Sequence, residues 1–98
     1  MSVWFVSRHP GAIEWAARSG LAVDRRVTHL DPAAVEAGDT VIGTLPMSAA
    51  AEVCRRGARF LALDMRLPES MRGRELSSEE LAGLECTLTE YRVIAVPA

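Results

Sequence analysis

Apolar and polar positions occur along the chain in blocks that predict strands and helices in alternation. Residues 3–6 (VWFV) form a short, continuous apolar run, which is typical of a strand buried on both faces. The turn sequence SRHPG follows, and Pro10 suits the first turn of a helix because its missing N–H costs nothing there. Apolar residues then recur at helical spacing as far as Gly20, which suits the end of that helix.

The same alternation continues to residue 63. The predicted elements are a strand over 26–30, a short helix that begins at Asp31 and stops at Gly38, a strand over 39–44, a helix over 47–54 that ends at Gly57, and a strand over 59–63. In the predicted helix over 47–54 the apolar residues lie at positions i, i+3, i+4 and i+7. One face of that helix is therefore predicted to pack against the sheet.

The C-terminal third of the chain is less regular. Residues 64–76 contain Pro and Gly without any period and predict a loop. A capping box then predicts a helix over 77–84. Residues 85–90 are compatible with an extension of that helix, and residues 91–96 (YRVIAV) predict the last strand.

This alternation predicts an α/β fold, a small Rossmann-like domain with a mostly parallel sheet flanked by helices. At 98 residues we expect one such domain over residues 1–98. In these sheets ligands bind outside the C-terminal ends of the strands, near the point where the strand order reverses. Two turns follow predicted strands and are candidate sites: SRHPG (7–11) and GTLP (43–46).

Composition excludes several classes of protein. Apolar residues make up 49% and charged residues 24%, which is an ordinary globular balance. No apolar run approaches the roughly 20 residues of a membrane span, and no secretory leader is recognisable, so we expect a cytoplasmic protein. Two cysteines cannot form a disulfide framework, and with two histidines they show no metal-ligand spacing. We therefore expect neither a metal nor a cofactor.

The basic residues are all arginine: there are 11, and the chain has no lysine. Any anion must then be held by arginine, backbone N–H groups or hydroxyls. The net charge is −2, which argues against a protein that coats long nucleic acids. Residues 1–30, however, carry four arginines against two acids, which is compatible with a small anionic ligand near this half.

The SRHPG turn holds residues that suit a phosphate ligand. Arg8 can hold two phosphate oxygens, His9 can exchange a proton near neutral pH, Ser7 offers a hydroxyl, and Gly11 allows close backbone approach. The helix N-terminus adds free N–H groups and a partial positive charge. The alternative is a solvated turn whose arginine pairs with a surface acid.

The second turn offers Gly43 and Thr44, with Ser48 shortly after it. These hydroxyls suit phosphate or ribose, or alternatively they cap the helix that follows. His29 lies in a segment predicted to be a strand, where we expect a packed or edge histidine.

The chain resembles a known family. The segments that carry the resemblance are WFVSRHPGAIEWA (4–16), VTHLDP (27–32), AGDTVIGTLP (37–46), AAEVCRRGARFLAL (50–63) and MRGREL (71–76). They are similar to the small stand-alone CRISPR-associated proteins of the Csx-sixteen type. The resemblance covers most of residues 3–83, whereas residues 84–98 are less diagnostic.

That resemblance implies a ring nuclease of type III CRISPR systems, which binds and cuts the messenger cyclic tetra-adenylate without a metal. It further implies a Rossmann-like fold related to the CARF domain and a homodimer with the ring on its two-fold axis. The hypothesis assigns charge stabilisation to Arg8 and acid–base work or phosphate contact to His9. Ser7 and Thr44 would orient phosphate or ribose, and Gly11 and Gly43 would admit the ligand backbone. The alternatives are a non-catalytic sensor or sponge for the ring, and a protein-interaction module that uses the 64–76 loop.

Overall fold

The computed structural model describes residues 1–66, 69–73, 77, 79–80, 83 and 85–98, with Met71 described by its backbone alone. In these ranges the strands are β1 (Val3–Val6), β2 (Arg25–Val27), β3 (Thr40–Gly43), β4 (Arg59–Arg66) and β5 (Glu85–Tyr91). The helices are α1 (Pro10–Arg18), α2 (Met47–Arg55) and two single-turn 3₁₀ helices, Pro32–Ala34 and Glu69–Met71.

The strands form one sheet in the order β2-β1-β3-β4-β5. The first four strands are parallel, and β5 runs antiparallel to β4. This arrangement confirms the predicted α/β class, a small Rossmann-like fold. After β2 the chain crosses back over β1 to form β3, so the strand order reverses between β1 and β3.

The two faces of the sheet have separate apolar cores, one under each helix. Because side chains alternate along a strand, Trp4 and Val6 pack on the face covered by α2, where Val53 is fully buried. Phe5 points to the other face and packs with Ala12 and Ala16 of α1. Small residues on both helices let each helix lie close to the sheet.

A buried carboxylate joins the elements at the N-terminal edge of the sheet. Asp39 accepts hydrogen bonds from the backbone N–H of Ser2 (2.8 Å) and Glu36 (3.0 Å) and from Nε1–H of Trp4 (3.1 Å). The backbone hydrogen bond from Glu36, followed by that from Ser2, lowers the pKa of Asp39, although burial opposes this. Asp39 therefore remains ionised inside the fold.

The predicted second strand over 26–30 is wrong in its extent. β2 covers Arg25–Val27 and pairs with the three residues Trp4–Val6 of β1. Ser7 donates its N–H to the carbonyl of Val27 at 3.2 Å, and the chain then turns away. Because β1 is only four residues long, β2 has no partner beyond that level. His29 lies in the following loop and is exposed.

The prediction for the C-terminal part also needs correction. β4 continues to Arg66, so residues 64–66 are strand and not loop, and the last strand is Glu85–Tyr91 instead of 91–96. The two strands pair along their whole length, from Phe60 with Tyr91 to Arg66 with Glu85. The alternation of ECTLTEY, with Cys86 and Leu88 directed to the core, explains why residues 85–90 do not extend a helix.

The predicted capping box is present. Ser77 donates its N–H to Oε1 of Glu80 at 3.0 Å, and Glu80 donates its N–H to Oγ of Ser77 at 3.2 Å. Much of the predicted helix over 77–84 and parts of the 64–76 segment lie outside the described residues. Within the described ranges, no helix is long and apolar enough to cross a membrane.

Candidate anion-binding cleft

A cleft of about 780 Å³ lies at the C-terminal ends of β1, β2 and β3, where the strand order reverses. We call it the switch-point cleft. Its polar lining residues are Ser7, Arg8, His9, Thr28, His29, Thr44 and Ser48. No carboxylate is among the lining residues that the structure describes. The structure thus brings Ser7, Arg8, His9 and Thr44 together as predicted, and adds Thr28 and His29.

Local hydrogen bonds shape the turn after β1. Ser7 Oγ accepts a hydrogen bond from the backbone N–H of His9 at 3.1 Å. The imidazole Nδ1 of His9 accepts one from the backbone N–H of Gly11 at 3.0 Å and so caps α1, which begins at Pro10. Together these bonds hold Arg8 and His9 on the wall of the switch-point cleft.

The capping bond determines the chemical state of His9. Because Nδ1 is the acceptor, the neutral imidazole carries its proton on Nε2. His9 can therefore offer an Nε2–H donor to an anion while it caps the helix. A proton on Nδ1 would break the cap, so this geometry favours phosphate contact over acid–base work for His9.

Arg8 is exposed and forms no ion pair or hydrogen bond with any residue in the described part of the chain. Other arginines contrast with it: Arg55 pairs with Glu52 at 2.6 Å, and Arg59 pairs with Glu90 at 2.9 Å. Among the described residues, no surface acid neutralises Arg8. Its guanidinium remains available for an anion in the cleft.

The turn after β3 also leaves polar groups available. α2 begins after Pro46 with no side-chain cap, so neither Thr44 nor Ser48 serves as the helix cap. Thr44 donates its backbone N–H to the carbonyl of Val6 at 3.3 Å and is exposed. Thr44, Ser48 and Ala49 line the switch-point cleft, and no side chain caps the first N–H groups of α2 beside it in the described part of the chain.

The two glycines predicted to admit a ligand do not line the switch-point cleft. Gly11 is buried in the first turn of α1, and its N–H is taken by His9. Gly43 has φ +145°, and a Cβ there would overlap the carbonyl oxygen of Val6. Its role here is to let β3 approach β1 closely, and it also lines a smaller neighbouring cavity of about 230 Å³.

Comparison with protein families supplies a match over residues 4–94, with the family described as "Putative CRISPR-associated protein (Cas_VVA1548)". The chain belongs to this CRISPR-associated family. The match includes every segment that lines the switch-point cleft. Neither the curated proteins nor the solved structures gave a significant match.

Sequence reasoning missed two residues of this CRISPR-associated protein. Thr28 and His29 follow β2 and line the cleft, although His29 was expected to be a packed or edge histidine of a strand. Oδ1 of Asp31 accepts the N–H of Ala33 at 3.0 Å and caps the first 3₁₀ helix. A cap at residue 31 is equally compatible with a strand that runs to residue 30, so the local sequence carries no signal that β2 ends at Val27.

Proposed function

We propose that this protein is a ring nuclease that binds and cleaves cyclic tetra-adenylate in the cytoplasm, and so switches off type III CRISPR signalling. The observation that carries the proposal is the switch-point cleft, which combines an arginine without a partner in the described chain with the first turn of α2 and no lining carboxylate among the described residues. Membership of a CRISPR-associated family and the resemblance to the Csx-sixteen type support it.

The switch-point cleft offers groups that suit both the phosphates and the bases of a nucleotide. Arg8, the Nε2–H of His9 and the first N–H groups of α2 are donors for phosphate oxygens. Apolar residues complete the walls and suit the faces of adenine bases: Leu30, Pro32, Leu45 and Pro46. The absence of lining carboxylates, within the described residues, avoids repulsion of the phosphates.

The reaction would use a nucleophile that the substrate already contains. A ribose 2′-oxygen attacks its neighbouring phosphorus, the bond from phosphorus to the 5′-oxygen breaks, and a 2′,3′-cyclic phosphate remains. The protein must hold these atoms in line and stabilise the negative charge that develops on the phosphoryl oxygens. Arg8 would stabilise that charge, and Ser7 and Thr44, which line the same cleft, would orient phosphate or ribose.

A homodimer forms part of the proposal. Cyclic tetra-adenylate has rotational symmetry, and a two-fold axis through a dimer would present each cleft residue twice to the ring. A single chain of 98 residues offers one Arg8 and one His9. Two copies would supply matching donors to opposite phosphates.

The second candidate is a sensor or sponge that sequesters the ring without cutting it. The capping bond of His9 favours this candidate, because Nδ1 accepts the N–H of Gly11 and the imidazole is left with Nε2–H as a donor to a ligand. A binder needs only donors, whereas a nuclease also needs a group that accepts the 2′-hydroxyl proton.

Incubation with cyclic tetra-adenylate in EDTA, followed by chromatography, tests the proposal directly. We expect linear products that end in a 2′,3′-cyclic phosphate. Arg8→Ala should lower the single-turnover rate by about 10²–10³-fold, as the loss of one charge-stabilising donor does. Arg18→Ala is the matched control, since Arg18 is an exposed arginine of α1 whose pairing with Glu14 (3.7 Å) lies outside the cleft.

Three results would contradict this proposal. Tight binding of an intact ring by the wild-type protein would replace the nuclease with the sponge. Full activity in Arg8→Ala would remove Arg8 from the site, and an equal loss in Arg18→Ala would show a general charge effect.

A further inference from the structure

We infer that His29 is the catalytic base of the switch-point cleft, a role that rests on the proposed ring nuclease function. The sequence suggested acid–base work or phosphate contact for His9, but His9 caps α1 through Nδ1. His29 lines the same cleft from the loop after β2. It is the other histidine of the chain.

The position of His29 follows from the strand register. Val6 of β1 is level with Val27 of β2, and the N–H of Ser7 donates to the carbonyl of Val27 at 3.2 Å. The loop that follows β2 therefore runs beside the turn that follows β1. Arg8 lies two residues after Val6, His29 lies two residues after Val27, and both line the cleft.

The side chain of His29 is available for proton transfer. It is exposed, and the described residues provide it with no hydrogen bond or ion pair. Both of its ring nitrogens can therefore gain or lose a proton without breaking the fold, unlike Nδ1 of His9. Histidine is the side chain that most often serves as a general base near neutral pH.

The charged and titratable groups around His29 are few. Arg8 and His9 face the cleft from the turn after β1, and the turn after β3 contributes none. In the loop of His29 itself, Asp31 directs its carboxylate to the 3₁₀ cap formed with Ala33. Of the described residues that line the cleft, His29 is thus the one free to accept a proton.

His29 takes the proton of the ribose 2′-hydroxyl while the 2′-oxygen forms its bond to phosphorus. The bond from phosphorus to the 5′-oxygen breaks, and that oxygen takes a proton from water in the open cleft. The imidazolium of His29 then releases its proton to solvent. One proton moves in total from the 2′-oxygen to the 5′-oxygen, and no water is consumed.

The test measures single-turnover cleavage of cyclic tetra-adenylate by the full-length chain with His29→Ala, His29→Gln and His9→Asn. We expect both His29 variants to bind the ring within about threefold of wild type and to cleave it about 10²–10⁴-fold more slowly. The acidic limb of the wild-type pH–rate profile should be absent in His29→Gln and retained in His9→Asn.

Chemical rescue separates a proton-transfer role from a structural one. Added imidazole should restore part of the activity of His29→Ala, with the same products, and should not restore Arg8→Ala. Wild-type rates in His29→Ala, or a loss of binding that matches the loss of rate, would overturn the assignment while the ring nuclease function stands. Absence of cleavage by the wild-type protein would overturn both.

Discussion

Nδ1 of His9 caps α1, whereas the proposed contact with phosphate uses Nε2, and two substitutions separate these two roles. In the wild type the N–H of Gly11 donates to Nδ1 of His9 at 3.0 Å. Asparagine places Oδ1 where His9 has Nδ1, so His9→Asn keeps an acceptor for this N–H. Glutamine places its amide nitrogen where His9 has Nε2, so His9→Gln keeps a donor toward the cleft and loses the cap.

The expected magnitudes follow from these contacts. Loss of a side-chain N-cap costs about 1 kcal/mol, which corresponds to a decrease in Tm of roughly 4–8 °C for a domain of this size. His9→Gln should therefore melt at a lower temperature, whereas His9→Asn should melt like the wild type. Loss of a hydrogen bond to a charged phosphate costs about 1.5–3 kcal/mol, so His9→Asn should raise the Kd by roughly 10–150-fold.

Two measurements decide the matter: thermal unfolding followed by circular dichroism, and calorimetric titration with cyclic tetra-adenylate. His9→Gln should keep the wild-type Kd within about threefold, because its donor occupies the place of Nε2. An equal loss of stability in both variants would refute the capping role of Nδ1. Unchanged affinity in His9→Asn would refute phosphate contact through Nε2.

Two further predictions concern the sheet that supports the cleft. Asp39→Asn should lower the free energy of unfolding at pH 7 by about 1.5–3 kcal/mol, because three N–H donors then meet a neutral amide. The folded-state pKa of Asp39 is lowered, so its contribution is present above the unfolded pKa of about 4 and is lost as the pH falls through the folded pKa. Urea denaturation at pH 7 and pH 3 should show that Asp39→Asn loses less stability on acidification than wild type, and an equal loss would contradict this. Gly43→Ala should destabilise the protein by at least about 1–3 kcal/mol, because its Cβ overlaps the carbonyl of Val6 and φ is positive. A Gly43→Ala variant that melts like the wild type would show that β3 can move away from β1 without cost.

The strands and helices were predicted correctly where the residues of the segment itself indicate the element. The apolar run VWFV, Pro10 at the start of α1 and the spacing of apolar residues in α2 all indicate elements that the structure confirms. The expectation that ligands bind at the strand-order reversal also located the turns that line the cleft. Each of these inferences depends on residues close together in sequence.

The predicted strand boundaries were wrong where pairing with a distant segment of the chain determines the extent of the strand. β5 forms because β4 extends to Arg66 and offers an antiparallel partner for the whole of β5, with paired residues 19 to 31 positions apart in sequence. The short β1 limits β2 to three residues, which moves His29 from a strand to the cleft. Neither effect is visible in the composition or period of the segment concerned.

The sequence by itself determined the α/β class, the absence of lysine and the placement of Ser7, Arg8 and His9 at a strand-to-helix turn. These follow from local periodicity, caps and residue chemistry. Only the tertiary structure decided which groups remain available in the switch-point cleft. Arg8 has no acid beside it in the described chain, and His29 lies in the loop after β2, where it lines the same cleft, and not in a strand. The physical reason is that hydrogen bonds and strand pairing are satisfied across the whole fold, and the groups left unsatisfied are known only when all partners are in place.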